Sequence, residues 1–198
     1  MSEHLPPIRD DLLPKFWGFN IPQKLKCFIW MASNNKINTW DNLHKWGWVG
    51  PNRCCLCKME EETVEHIFVG CSFVKEVIHS LGRLFGVHLQ WYASSLSENL
   101  STWISKGVML LYLPFFFIWN LWKCRNSSIF EDKEPVISRL CHIIMSNIAS
   151  HHVPQANRNK VKHIGDPPQK KIPMGFFDGV ATYSLGGEFS LYKIRLRA

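Results

Sequence analysis

The chain has 198 residues, of which 46% are hydrophobic and 20% charged. That balance excludes a disordered chain and leaves room for one core of roughly 100–150 residues plus tails. A formal charge of +7 favours polyanionic partners, because phosphate neutralisation releases counterions. Seven cysteines are an odd number, and no signal peptide opens the sequence. Reduced thiols in the nucleus or cytoplasm therefore fit better than a secreted disulfide framework.

In chain order, Pro22 opens a first helix, and Leu25, Phe28, Ile29 and Ala32 make its apolar stripe. Thr39 is placed to cap a short second helix, Trp40 to Trp46, with Leu43 and Trp46 on its buried face and Gly47 at its end.

Next comes Cys54-x2-Cys57-x8-His66-x4-Cys71. Four soft or borderline ligands within 18 residues match the composition of a closed tetrahedral zinc site. The first pair sits on a tight knuckle. The second surrounds a short helical turn that Thr63 can cap and whose start Glu65 suits electrostatically. All four positions are protein ligands, so the expected Zn(2+) is structural and not catalytic. Cysteine also packs as a small hydrophobe, and Cys55-x-Cys57 competes as the first pair; the two-residue gap has the better-attested geometry. His79 and His88 are possible substitutes for His66.

Ser72 is placed to cap a helix from Phe73 to Phe85, with Val74, Val77, Ile78, Leu81 and Leu84 on its apolar face and Gly86 after it. Residues 88–102 are Ser-rich and read as a loop, with Trp91 and Tyr92 packing onto the body. The run from Val108 to Trp119 is twelve residues long and contains Pro114. A bilayer needs about 20 apolar residues, so a buried helix is expected and no membrane span. Trp119, Trp122, Asn126 and Phe130 continue it amphipathically. A last helix runs from Pro135 to Ser150 with Val136, Ile137, Leu140, Ile143, Ile144 and Ile148 buried.

Pro22, Lys24, Lys26, Phe28, Trp30, Thr39, Leu43 and Gly47, followed by Cys54, Cys57, Glu62, Thr63, His66, Phe68 and Cys71, resemble the zinc-binding domain of plant non-LTR (LINE-type) retroelement reverse transcriptases. The resemblance covers residues 14–85. Trp122, Arg125, Asn126 and Phe130 resemble the helix that follows in those proteins. Met174 to Ala181 resembles the first strand of a ribonuclease H domain, with Asp178 as its first catalytic carboxylate. That chemistry needs several carboxylates around two metal ions, and after Asp178 the only acidic residue is Glu188.

The expected architecture is mainly α: a zinc-stapled domain at 14–85, a helical extension at 86–150, a basic Pro-containing linker at 151–173 and a truncated ribonuclease H-like start with a short β remnant at 174–198. The linker carries five Lys or Arg, one Asp and four Pro.

The resemblance implies a non-enzymatic remnant, without polymerase or working nuclease, whose parent associates with RNA or single-stranded DNA. Lys24, Lys26, Lys36, Lys45 and Arg53 are the candidate phosphate contacts. Trp30, Trp40, Trp46 and Trp48 could stack bases, with core packing the alternative for each and favoured for Trp40 and Trp46. Residues 51–80 hold five acidic against three basic residues, so the motif itself is no basic patch. The competing readings are a protein-interaction adaptor with a structural zinc and a pseudogene product without selected function.

Overall fold

The computed structural model describes residue 8, residues 10–106 and residues 110–152. His151 and His152, expected in the linker, are the last residues of the final helix; the rest of the linker, the β remnant and Asp178 lie outside the described residues. Among the described residues seven α-helices form: α1 (Leu13–Gly18), α2 (Gln23–Ser33), α3 (Trp40–Lys45), α4 (Ser72–Phe85), α5 (Leu96–Lys106), α6 (Leu113–Phe130) and α7 (Ile137–His152). A 3₁₀ turn at Asp10–Leu12 precedes α1, and a π-helical turn at His66–Gly70 precedes α4. Among the described residues no strand forms, and the pairing of Arg53 with Glu61 is an isolated antiparallel bridge.

The central helix is α6. Its first half buries Leu113, Phe115, Phe116, Phe117, Ile118 and Leu121, so it is apolar around most of its circumference, as a helix covered on several sides must be. It packs against α2 and α7; α4 lies on α7 and on the π turn, and α5 lies against α2. Phe28 of α2 meets the rings of Trp119 and Trp122 at 5.3 and 5.6 Å and that of Phe68 at 6.5 Å. Buried amides are satisfied locally: Asn120 Nδ2 donates to the Phe116 carbonyl at 2.7 Å. No helix among the described residues is long and apolar enough to cross a membrane.

Several expectations are corrected. Residues 96–102, expected as loop, are helical and belong to α5. Ser95 and Glu65 make the start possible: Ser95 Oγ accepts the Glu98 N–H at 3.2 Å, and the Glu65 carboxylate accepts the Leu96 N–H at 2.5 Å. Of the pair expected to pack there, Trp91 is buried and Tyr92 is 69% exposed. Pro114 stands in the first turn of α6, where its missing N–H costs nothing, so it starts the helix and does not interrupt it.

Ser72 is the first residue of α4 and Cys71 takes the cap position, with extended backbone and no side-chain cap bond. Leu84 is exposed, as are Val136, just before α7, and Ile143 on α7. In α3 the interior residue is Asn42, whose Nδ2 donates to the carbonyls of Asn35 and Ile37 at 3.0 and 2.9 Å. Leu43 is half-buried and Trp46 is 68% exposed. Thr39 does stand before α3, but its hydroxyl meets the Asp41 carboxylate at 2.6 Å. Glu62 supplies the cap instead, its side chain accepting the Trp40 N–H at 3.0 Å.

Candidate metal centre

The residues from Asn52 to Glu62 fold back on themselves around the first cysteine pair. Cys54 N–H donates to the Glu60 carbonyl at 2.8 Å, and Lys58 N–H returns to the Cys54 carbonyl at 2.8 Å. Lys58 closes the knuckle in the left-handed region, at φ +59°. The N–H groups of Leu56 and Cys57 both point at the Cys54 sulfur. A sulfur so placed is set up to carry negative charge, since donors favour the thiolate.

The second half begins where Thr63 Oγ1 accepts the His66 N–H at 3.0 Å, the cap the sequence predicts. The winding then widens, and Cys71 N–H bonds to the His66 carbonyl at 2.8 Å, five residues back. This widening matters for the site. In an α-helix, five residues turn through about 500°, leaving the two side chains roughly 140° apart. The π turn reduces that offset and brings His66 and Cys71 to one side. Ile67 and Phe68, fully buried within the same turn, anchor it in the core. Trp91 Nε1 donates to the Phe68 carbonyl at 2.8 Å and adds a second anchor.

Together these elements place one ligand atom from each of Cys54, Cys57, His66 and Cys71 within 4.8 Å of all the others. A tetrahedron with bonds of 2.0–2.3 Å has edges of roughly 3.5–3.8 Å, so the four groups fit zinc with small adjustments. His66 Nε2 lies 3.2 Å from Cys57 Sγ. Its other nitrogen, Nδ1, lies 3.3 Å from the Glu60 carboxylate. These contacts assign Nε2 to the cluster and the Nδ1 proton to Glu60.

Within the cluster, the Cys71 thiol donates to Cys54 and draws Cys54 down to about 4, against the opposing effect of burial. The same bond, with burial, pushes Cys71 up. Hydrogen bonding to Cys54 holds His66 up at about 9.

Cys55 stays outside the cluster. Its thiol meets the Arg125 carbonyl at 3.6 Å, and burial pushes it up to about 12. His79 and His88 are exposed and do not join the four ligand atoms. None of the seven cysteines is in a disulfide.

The candidate phosphate contacts have different surroundings. Lys24 and Lys26 are about 160° apart on α2 and face different ways. Lys26 is buried, and its Nζ donates to the Trp17 carbonyl at 2.7 Å. Lys24 is exposed and lies 5.6 Å from the centre of the Trp119 ring. Lys36 stands 5.4 Å over the half-buried ring of Trp30. Lys45 pairs with Asp41 at 3.5 Å and with Asn42 Oδ1 at 2.8 Å. Arg53 is exposed at the isolated bridge. Trp40 and Trp48 are half-buried, and Trp46 is solvent-facing.

Two site residues went unnoticed in the sequence as partners of the cluster. One is Glu60, read there only as part of an acidic stretch. The other is Arg125, whose guanidinium Nε donates to Glu62 Oε2 at 3.1 Å and whose Nη2 also meets Glu62. An isolated Arg in a helix gives no local signal of a partner 63 residues away.

This ligand set and winding suit zinc by their chemistry, and the comparison points the same way. Residues 6–77 match the family model described as zinc-binding in reverse transcriptase, and all four cluster residues fall within the match. No curated protein and no solved structure matches the chain.

Proposed function

We propose that the chain is a non-catalytic, zinc-stapled module derived from the reverse transcriptase polyprotein of a plant non-LTR (LINE-type) retroelement, and that it associates with RNA or single-stranded DNA. One observation carries the metal part: Cys54, Cys57, His66 and Cys71 converge within 4.8 Å, inside the segment that matches the reverse-transcriptase zinc-binding model. Four protein ligands fill a tetrahedral ion and leave no position for water or substrate, so the zinc is structural. Bound zinc would join the knuckle to the π turn. Zinc binding contributes about 10–16 kcal/mol in small peptide sites at neutral pH, enough to decide whether this part of the chain folds.

The LINE-type ancestry rests on the resemblance of the residues around the motif, and the ribonuclease H origin of Asp178 rests on the same ground. Association with nucleic acid is supported by the +7 charge and by the setting of this module in its parent proteins. A thiolate-rich site needs a reducing compartment, which supports the nucleus or cytoplasm. The adaptor reading has support of its own in three exposed apolar side chains near the knuckle, Trp46, Val49 and Met59.

Oligonucleotide binding by the zinc-loaded chain, titrated with salt, separates the two readings. Nucleic-acid association gives single-strand binding that weakens with salt. An apolar protein contact is nearly independent of salt, and failure to bind any oligonucleotide would leave the adaptor reading in front.

A further inference from the structure

A groove of about 990 Å³ borders the metal cluster, with His66 and Glu60 among its lining residues. We propose that this groove is the single-strand nucleic-acid site: phosphates run along Lys75, His79 and Arg83, and a base stacks on Tyr92. The proposal rests on the nucleic-acid reading above and replaces the scattered lysines of α2 and α3 as its principal contact surface.

The spacing of this row comes directly from the helix. Lys75, His79 and Arg83 are four residues apart on α4, so they share one face and span about 12 Å. All three are exposed, and all three line the groove. Neither Lys75 nor Arg83 is in a salt bridge among the described residues; Arg83 Nη2 donates to Ser80 Oγ at 3.4 Å. The backbone phosphates of a strand laid along α4 would meet this row.

Most residues from Gly86 to Ser94 also line the groove and carry the aromatic component. Tyr92 is 69% exposed although it is a large ring. His88 holds it: Tyr92 Oη lies 2.9 Å from His88 Nε2, with the two rings 5.7 Å apart. A tethered, solvent-facing ring offers a stacking surface to any base. Trp91, its neighbour, is buried and bonded to the Phe68 carbonyl, which ties this segment to the metal-binding turn.

The segment is also fixed against α4. Gly86 turns the chain at φ +66°, and Val87 N–H bonds back to the Gly82 carbonyl at 3.0 Å. A Cβ on Gly82 would lie 2.8 Å from the Val87 carbonyl oxygen, so only glycine permits this approach.

Two carboxylates line the same groove, and each has a partner. Glu60 faces His66 Nδ1 at 3.3 Å, and Glu65 accepts the Leu96 N–H at 2.5 Å. The formal charges of the lining balance, Lys75 and Arg83 against Glu60 and Glu65, and the two cations stand together on α4.

The test is fluorescence anisotropy of the full zinc-loaded chain with labelled 12-nucleotide single-stranded RNA, single-stranded DNA and a 12-base-pair duplex. Wild type should bind single strands over duplex, and the RNA and DNA arms identify the preferred sugar. Lys75→Gln with Arg83→Gln should weaken single-strand binding roughly 10- to 30-fold and flatten the log-log salt slope by about 1.4, the share of two phosphates. Tyr92→Ala should weaken it about tenfold with the slope unchanged.

If Lys24→Gln with Arg53→Gln produces these losses and the α4 pair does not, nucleic-acid association stands and the groove assignment falls. If wild type binds none of the three probes, both fall. Binding of duplex equal to single strand, insensitive to Tyr92→Ala, would overturn the stacking half and with it the single-strand site.

Discussion

Arg125, near the C-terminal end of α6, grips the carboxylate of Glu62, which sits between the two halves of the metal cluster. The two are 4% and 2% exposed, so the pair is sealed from water. Glu62 also accepts the Trp40 N–H, and Arg125 lies 4.8 Å over the Trp122 ring. A helix far along the chain is thereby bonded to the turn that presents His66 and to the start of α3.

Breaking this pair from one side should be costly. Arg125→Met leaves Glu62 buried without its counter-ion, which typically costs about 3–5 kcal/mol. Urea unfolding of the zinc-loaded protein would measure it. The double variant Arg125→Met with Glu62→Met should recover much of the loss, because an apolar pair carries no desolvation penalty. Equal losses in the single and double variants would show that packing, and not the charge pair, matters there.

Glu60 should tune metal affinity without being a ligand. It holds the Nδ1 proton of His66 and so keeps Nε2 turned toward the sulfurs. Loss of an outer partner of this kind typically costs 10- to 100-fold in affinity. The 72% exposure of the Glu60 side chain puts Glu60→Gln at roughly tenfold, the lower end of that range. Competition against a chromophoric chelator would read this, while stoichiometry stays at one zinc per chain.

The two adjacent cysteines should behave oppositely. Cys57→Ser should abolish stoichiometric zinc. Cys55→Ser should leave it intact, because the Cys55 sulfur points to the Arg125 carbonyl and not to the cluster. The Cys55 thiol, pushed up to about 12, should also resist alkylation at neutral pH in the folded protein. Zinc loss in Cys55→Ser would mean that the knuckle uses the other pair.

Gly82→Ala places a methyl group 2.8 Å from a backbone oxygen that cannot rotate away. A cost of about 1–3 kcal/mol is expected, as for overpacking elsewhere. The shift of residues 86–94 should appear as changed fluorescence of the buried Trp91. A neutral substitution would show that the segment moves freely from α4.

The sequence carried the cluster well because its information is local. Knuckle spacing, the Thr63 cap and the four ligands all fall within 18 residues. The buried stripes of α2, α4 and α7 were also legible as helical periodicity, apart from Leu84, Val136 and Ile143 at their edges. What failed was set by distant partners or by a cap out of view. The start of α5 was hidden in a serine-rich stretch, yet Ser95 and Glu98 stand at capping-box spacing, and reading that pair would have found the helix.

Trp46 was expected inside on hydrophobicity alone. Asn42 displaced it, because the carbonyls of Asn35 and Ile37 needed a donor. Lys26 looked like a surface charge and instead snorkels to the Trp17 carbonyl. The π winding before Cys71 has no propensity signature; it follows from bringing two ligands five residues apart to one side.

The most direct measurement is metal content by elemental mass spectrometry on the purified full chain, wild type beside Cys57→Ser, with helicity followed by circular dichroism during chelation. The account predicts one zinc per wild-type chain, none in Cys57→Ser, and loss of helical signal as the chelator removes the ion. A folded wild-type protein that carries no zinc, or one whose helicity is indifferent to chelation, would contradict it.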